Sequence, residues 1–176
     1  MTTLRLPKTL MCALILALPA LPALASAAAD PVAQHLAQEE QRVGVDTFTA
    51  HDYKKGTLQH VVLIRFRDGV SAAQRQQIAQ QYMALQKQSL RNGKPYIVSI
   101  QAGPQFSGEG FSHGLQQAFI TTFSSEGDRN YFIGTPVVTD PHHYEPTHAA
   151  FKEVFKPVLA DGGLLSFDFP VIQTAP

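Results

Sequence analysis

Four consecutive apolar residues, Val61-Val62-Leu63-Ile64, stand between His60 and the segment Arg65-Phe66-Arg67. Strand neighbours point to opposite sides of a sheet, so this run is apolar on both faces and implies a strand buried twice over. Asp68-Gly69 turns the chain, and Ser71 with Gln74 has the form of a capping box. Ile78, Tyr82 and Leu85 then repeat at helical spacing to about Leu90, where Asn92-Gly93 is expected to close the helix. Residues 96–101 read as a second strand, 103–114 as a Gly-rich loop and 118–123 as a third strand with mixed faces. Ser125 caps a short helix through Phe132. A polar stretch with Pro136, Pro141 and Pro146 leads to a helix over 148–159, with Phe151, Val154, Phe155, Val158 and Leu159 on one stripe. Pro157 must bend or end that helix, because a mid-helix proline costs about 3 kcal/mol. Residues 164–169 alternate Leu165, Phe167 and Phe169 with Leu164, Ser166 and Asp168, which completes a β-α-β-β-α-β order.

That order predicts an α+β, ferredoxin-like sandwich with a four-stranded antiparallel sheet whose helices cover one face. Val61, Leu63, Ile97, Phe119 and similar residues cannot all face the helices, so something else must cover the second face. A second copy of the sheet does this most simply, and a homodimer follows. An open apolar cleft for a ligand is the rival explanation, and a dimer can supply both.

The segments before the domain differ in kind. Residues 1–25 carry Arg5 and Lys8 but no acid, then an apolar run ending at Pro19 and the small-residue pattern Ala23-Leu24-Ala25. This is the layout of a secretory signal peptide, with cleavage after Ala25 or Ala27. The apolar run is about half the roughly 20 residues that cross a bilayer, which disfavours an anchor. The expected location is therefore periplasmic or secreted, with no stable membrane insertion after cleavage. Removing the segment leaves 12 basic against 14 acidic side chains, a formal charge of −2, and removes Cys12, the one cysteine. A cysteine-free mature chain can form no disulfide and no thiolate metal site. With 16% charged residues and no basic excess, nucleic-acid binding is excluded, and 44% hydrophobic residues exclude a disordered chain. Residues 26–58 are polar and Ala/Gln-rich, with Asp30-Pro31 capping a short helix from Val32 to Arg42 that Gly44 ends. They read as an arm, either a tether or a cover for a substrate. Residues 59–170 form the domain, and 171–176 a short tail.

The ordered pieces His60-Val61-Val62-Leu63-Ile64-Arg65-Phe66-Arg67-Asp68-Gly69-Val70-Ser71, Gly108-Glu109-Gly110-Phe111-Ser112-His113-Gly114, Thr121-Thr122-Phe123-Ser124-Ser125, His148-Ala149-Ala150-Phe151 and Phe167-Asp168-Phe169 resemble the stress-responsive A/B barrel (Dabb) domain family. The resemblance spans roughly residues 59 to 170. It implies a ferredoxin-like subunit whose sheet packs on a partner's to form a dimeric α/β barrel. Some relatives are polyketide cyclases, in which a His on the pattern Tyr-x-x-His-Pro-x-His is the base beside a Tyr. Pro146-Thr147-His148 keeps the end of that pattern, so the resemblance offers His148 as base, with Tyr131 or Tyr144 as its partner. Glu145 replaces the first His of the pattern, and Gln117 stands where some cyclases carry a strand-edge His. Packing of His148 at a helix start is the alternative role. A neutral imidazole removing a proton next to a carbonyl, with a Tyr hydroxyl on the enolate oxygen, would be cofactor-independent cyclase- or isomerase-like lyase chemistry.

The expected cavity is apolar, lined by Tyr82, Phe119, Tyr131, Phe151 and Phe155, fringed by His60, His113 and His148, and suited to a small hydrophobic or aromatic molecule. The rival class is a non-catalytic stress or assembly module whose product is the stable homodimer. No cofactor is implied. Asp140, His142 and His143, with Glu145 and His148, offer oxygen and nitrogen ligands for a divalent metal, although their spacing is not diagnostic. Gly110-Phe111-Ser112-His113-Gly114 satisfies Gly-x-Ser-x-Gly, but it lies in a loop leading into a strand rather than on a strand-to-helix elbow, which argues against a serine hydrolase.

Overall fold

The computed structural model describes residues 30–175. The proposed signal segment, both cleavage positions and Cys12 lie outside the described residues. No helix among the described residues is long and apolar enough to cross a membrane.

The chain runs α1 (Pro31–Val43), a single turn α2 (Val45–Phe48), β1 (Lys55–Phe66), α3 (Ala72–Gln88), β2 (Leu90–Arg91), β3 (Lys94–Pro95), β4 (Ser99–Pro104), β5 (Gln117–Ser125), α4 (Glu126–Ile133), α5 (Pro146–Phe155) and β6 (Leu159–Pro170). Four strands make one antiparallel sheet in the order β4-β5-β1-β6. This is the ferredoxin-like arrangement that the element order predicts. The Ser71–Gln74 capping box forms at the start of α3, and Asp30 caps α1 through the backbone N–H groups of Val32 and Ala33. As expected from Pro157, α5 ends at Phe155 and a 3-10 turn, Lys156–Val158, follows.

Two local expectations change. Asn92 and Gly93 both take positive φ, 50° and 74°, and join β2 to β3 as a two-residue hairpin instead of closing α3. The helix has already ended at Ser89. The second long strand therefore starts at Ser99 rather than at 96, and Tyr96 and Ile97 enter the core as irregular chain.

The register of β1 sorts its side chains cleanly. Leu58, His60, Val62, Ile64 and Phe66 are buried, whereas Gln59, Val61 and Leu63 are only half-buried. The buried set meets Ile78, Tyr82 and Leu85 from α3, Phe132 from α4, and Phe151 and Phe155 from α5 in one core. Phe119 belongs to this set at 0% exposed, and Ile97 is also buried, so both leave the group expected to need a second cover. On the opposite face, Val61 is flanked by Ile120 and Phe167, and Leu63 by Ala118 and Leu165, an apolar surface with no helix of the described residues over it.

The arm is fastened to the domain. Phe48 is 1% exposed, its carbonyl accepts from Asn130 Nδ2 (2.8 Å), and the Thr49 carbonyl accepts from Arg91 (2.6 Å). Gly127 shows why the fit is close: a Cβ there would lie 1.8 Å from the Ala50 carbonyl oxygen. Glu39 is buried and held by Lys54 and by the Tyr53 hydroxyl. A tether would carry none of these contacts.

Candidate functional site

Pairing register places three polar residues in one row across the helix-covered face: Thr121 of β5 lies opposite His60 of β1, which lies opposite Asp168 of β6. The rows on either side, Phe119 with Val62 and Phe123 with Leu58, are apolar. A polar row in this position must be satisfied from within, because a buried polar group without a partner costs about 1–3 kcal/mol. Tyr82 from α3 meets Thr121 through its hydroxyl at 2.9 Å. His60 Nδ1 lies 2.6 Å from Asp168 Oδ1, and Arg129 of α4 donates to Asp168 Oδ2 at 2.9 Å.

The chemistry of this row follows from which groups can donate. An ionised carboxylate only accepts, so His60 donates through Nδ1–H, and Nε2 is the ring nitrogen turned away from Asp168. Burial acts against ionisation of Asp168, but the hydrogen bond and charge of His60, together with Arg129, outweigh it and hold the carboxyl below the usual carboxylate range. This is the base-plus-orienting-carboxylate arrangement of nucleophilic and general-base sites. Burial drives the Tyr82 phenol above its ordinary value, so it stays protonated and able to donate.

His148 stands near the row. It enters at the start of α5, is 5% exposed, and stacks on Phe132 with ring centroids 3.8 Å apart and planes 10° apart. Its Nδ1 donates to the Phe132 carbonyl (2.6 Å), which in the neutral ring leaves Nε2 unprotonated. Burial, then the charge of Lys152, pushes its pKa down to about 3. His148 is therefore neutral throughout the physiological range but weakly basic, whereas His60 has the carboxylate that stabilises an imidazolium. Phe132 packs against both rings, with its centroid 6.1 Å from that of His60.

The tyrosine beside His148 is Tyr82, at 6.5 Å between ring centroids, and neither expected partner takes that place. Tyr131 follows a different bearing on α4 from Phe132, packs against Tyr96 at 5.6 Å, and lies under the Arg91 guanidinium at 4.4 Å. Burial and the nearby Glu145 raise its pKa. Tyr144 packs against Gly134. Glu145, 1% exposed, caps α5 through Thr147 N–H and accepts from the Tyr96 hydroxyl at 3.2 Å.

The residues proposed as cavity lining divide. Tyr82, Phe119, Phe151 and Phe155 lie together beneath the helices, but as packed core, with Tyr82 to Phe119 at 4.4 Å and Phe151 to Phe155 at 5.3 Å. They fill the space between sheet and helices in place of the open cavity expected there. His113 is exposed at φ 50° in the Gly-rich loop and does not join His60 and His148. Gln117 lines a separate recess of about 260 Å³ with Leu63, Phe111, Ser112 and Leu115. Ser112 and His148 therefore belong to different sites.

The loop after α4 is tied to itself and to the arm. Asp140 accepts from His143 Nδ1 at 3.1 Å, and Asp46 from its Nε2 at 2.7 Å. The Asp46 hydrogen bond chiefly raises the His143 pKa, and with Asp140 it outweighs desolvation, which acts the other way. Among the described residues no group of three or more His, Cys, Asp or Glu is arranged to hold a metal ion. Both ring nitrogens of His143 are engaged by carboxylates.

Two members of the polar row, Thr121 and Asp168, and the Arg129 of α4 that holds Asp168, were not site candidates from sequence. Asp168 stands among apolar residues in the predicted strand 164–169, but only its pairing opposite His60 gives it a role.

A family model described as Stress Responsive A/B Barrel Domain matches residues 58–171. No curated protein matches the chain in sequence. Among solved structures, the chain is similar to a protein of Arabidopsis thaliana, with 22% identity and TM-score 0.54 over 68% of this chain and 99% of that one. It is similar to hydroxynitrile lyase from Passiflora edulis, with 21% identity and TM-score 0.55 over 69% of this chain and 99% of that one. A dimeric ferredoxin-like protein of unknown function from Jannaschia gives 18% identity and TM-score 0.50 over 66% and 100%. At these identities the likeness is one of fold.

Proposed function

The chain belongs to the stress-responsive A/B barrel domain family, and from that premise we propose an exported homodimer that binds a small hydrophobic or aromatic molecule and performs cofactor-independent, lyase-like proton transfer on it. One observation carries the reading: His60 is oriented by Asp168 at 2.6 Å, and Arg129 holds that carboxylate. The Passiflora neighbour suggests a substrate class to try. With an aromatic hydroxynitrile, His60 Nε2 takes the hydroxyl proton, the bond to the cyano carbon breaks as the carbonyl forms, and cyanide leaves with the electron pair. It recovers the proton from the His60 imidazolium as hydrogen cyanide. Asp168 stabilises that imidazolium, and the protonated Tyr82 hydroxyl donates to developing negative charge. His148 acts as a neutral, polar wall of the site. His60 and His148 are each 5% exposed, so substrate entry requires the helices over the row, α4 with its Phe132 among them, to part.

Two further observations support the dimer: the uncovered apolar rows centred on Val61 and Leu63, and the dimeric state of the Jannaschia neighbour. Export rests on the sequence of residues 1–25. The closed interior favours one second reading, a non-catalytic module whose product is the homodimer.

The test is cyanide release from aromatic hydroxynitriles by the chain from residue 26, with dimer mass followed by light scattering. Turnover should fall by about 100-fold or more in His60→Ala while the dimer persists. Absence of turnover in the unsubstituted dimer, with no binding of aromatic hydroxynitriles or carbonyls, would leave the assembly module.

A further inference from the structure

A cleft of about 220 Å³ lies between α1 and the edge formed by β6 and α4, and its walls include Val32, Leu36, Leu58, Phe169 and Pro170. Its outer wall comes from residues before position 58, where the family match begins, so the cleft is made by a segment that lies outside the family domain. Its polar lining is nearly self-neutralised. Glu39 is paired with Lys54, Glu126 with Lys54, and Asp168 with His60 and Arg129. His35 stands beside Glu39 at 3.8 Å.

Among the described residues, one buried donor in this lining meets no acceptor: Arg129 is 8% exposed and its Nη1 is used by Asp168, but its Nε–H is without a hydrogen-bond partner. Arg129 lines this cleft and also a smaller recess with Leu36, Phe48 and Asn130; turned toward the cleft, its buried N–H would recognise an oxygen acceptor attached to an apolar body. Three carboxylates share the lining, so an anionic ligand would be repelled and a neutral one favoured. The volume is below the 300–1,000 Å³ common for drug-sized ligands, which limits the fit to a single ring or a short chain.

From this we infer that the arm roofs a binding site for a small, neutral, single-ring molecule whose carbonyl, ether or hydroxyl oxygen accepts from Arg129 Nε–H. Because Arg129 also holds Asp168, the same contact would join this site to the polar row beneath the helices. The inference needs no turnover and stands apart from the catalytic reading.

The experiment uses the chain from residue 26 labelled with nitrogen-15, with the Arg129 Nε–H resonance assigned by its loss in Arg129→Lys. Acetophenone is the probe, with ethylbenzene as the analogue lacking an acceptor and benzoate as the anionic one. Acetophenone should move the resonance saturably, ethylbenzene should leave it in place, and benzoate should bind more weakly. Leu36→Trp, which fills the cleft, should weaken acetophenone by about tenfold or more. Val32→Trp, at the 64% exposed lip, repeats the block without disturbing packed residues. A resonance unmoved by acetophenone, an equal response to ethylbenzene, or acetophenone binding undiminished in both Trp variants would overturn the site. Loss of acetophenone binding in the Trp variants with cyanide release unchanged would uphold it and separate it from the catalytic centre.

Discussion

The two faces of the sheet are built from the same strands, often from adjacent residues, and they solve opposite problems. On β5, Phe119 is 0% exposed beneath the helices, whereas Ala118 beside it contributes to the uncovered apolar surface. On β6, Asp168 points toward the helices and is paired, while Phe167 is 61% exposed among other apolar side chains. The covered face can therefore hold a polar row, because helices bring Tyr82 and Arg129 to satisfy it. The uncovered face carries apolar groups that only another body can bury. The difference shows where chemistry and association belong in this fold.

The contrast is most sharply tested by truncation on the covered face. Phe119→Ala should cost about 3–5 kcal/mol in denaturant unfolding, since it leaves a cavity under α3. A cost below about 1 kcal/mol would mean that the space between sheet and helices is looser than the ring contacts indicate. Asp168→Ala should cost about 3–5 kcal/mol, because Arg129 is left as a buried unpaired charge. Arg129→Met in the Asp168→Ala background should recover much of that loss, and calorimetry of the pair checks it.

On the other face, Phe167→Glu should convert dimer to monomer in light scattering while lowering the monomer's own stability by less than about 0.5 kcal/mol, as expected of an exposed position. A dimer that persists would place the association surface elsewhere.

Acidity separates two histidines five positions apart. His148 has its pKa depressed, to about 3 against an ordinary 6.5, by burial. The unfolded chain binds this proton below about pH 6.5 and the folded chain does so only near 3, so stability falls on acidification through that window by about 1.4 kcal/mol per pH unit. His148→Gln should remove that slope from acid unfolding curves. His143 is shifted the other way, its pKa raised by Asp46 and Asp140. Its contribution is present below the ordinary His pKa and is lost as pH rises through the raised one. His143→Ala should cost less than about 1 kcal/mol, because Asp46 is 92% exposed, and should flatten the alkaline side only.

Much of the fold was legible because it rests on local periodicity. The double-faced run at Val61 to Ile64, the helical spacing of Ile78, Tyr82 and Leu85, and the caps at Asp30, Ser71 and Ser125 each carry their own signal. The Asn92-Gly93 hairpin was missed because the same dipeptide serves a helix end or a two-residue turn, and the choice depends on the φ of both residues. The site was legible in part. His60, Tyr82 and His148 were named, but their relationship was not, because a strand's partner residue is set by register across more than 100 positions, as between His60 and Asp168. The arm, thin in apolar residues, gave no sign that Phe48 and Glu39 would be buried by α4 and Lys54.

From sequence alone came the order of elements, the family resemblance, the surplus of apolar strand surface and the absence of cysteine beyond the proposed export segment. These are properties of short windows or of composition, where backbone geometry and hydrophobic spacing act directly. Tertiary structure alone decided that Thr121, His60 and Asp168 share one row, that Tyr82 rather than Tyr131 or Tyr144 stands by His148, and that the arm closes a cleft on Arg129. Each depends on groups brought together from distant parts of the chain, where a side chain's charge, tautomer and basicity are set by its neighbours in space.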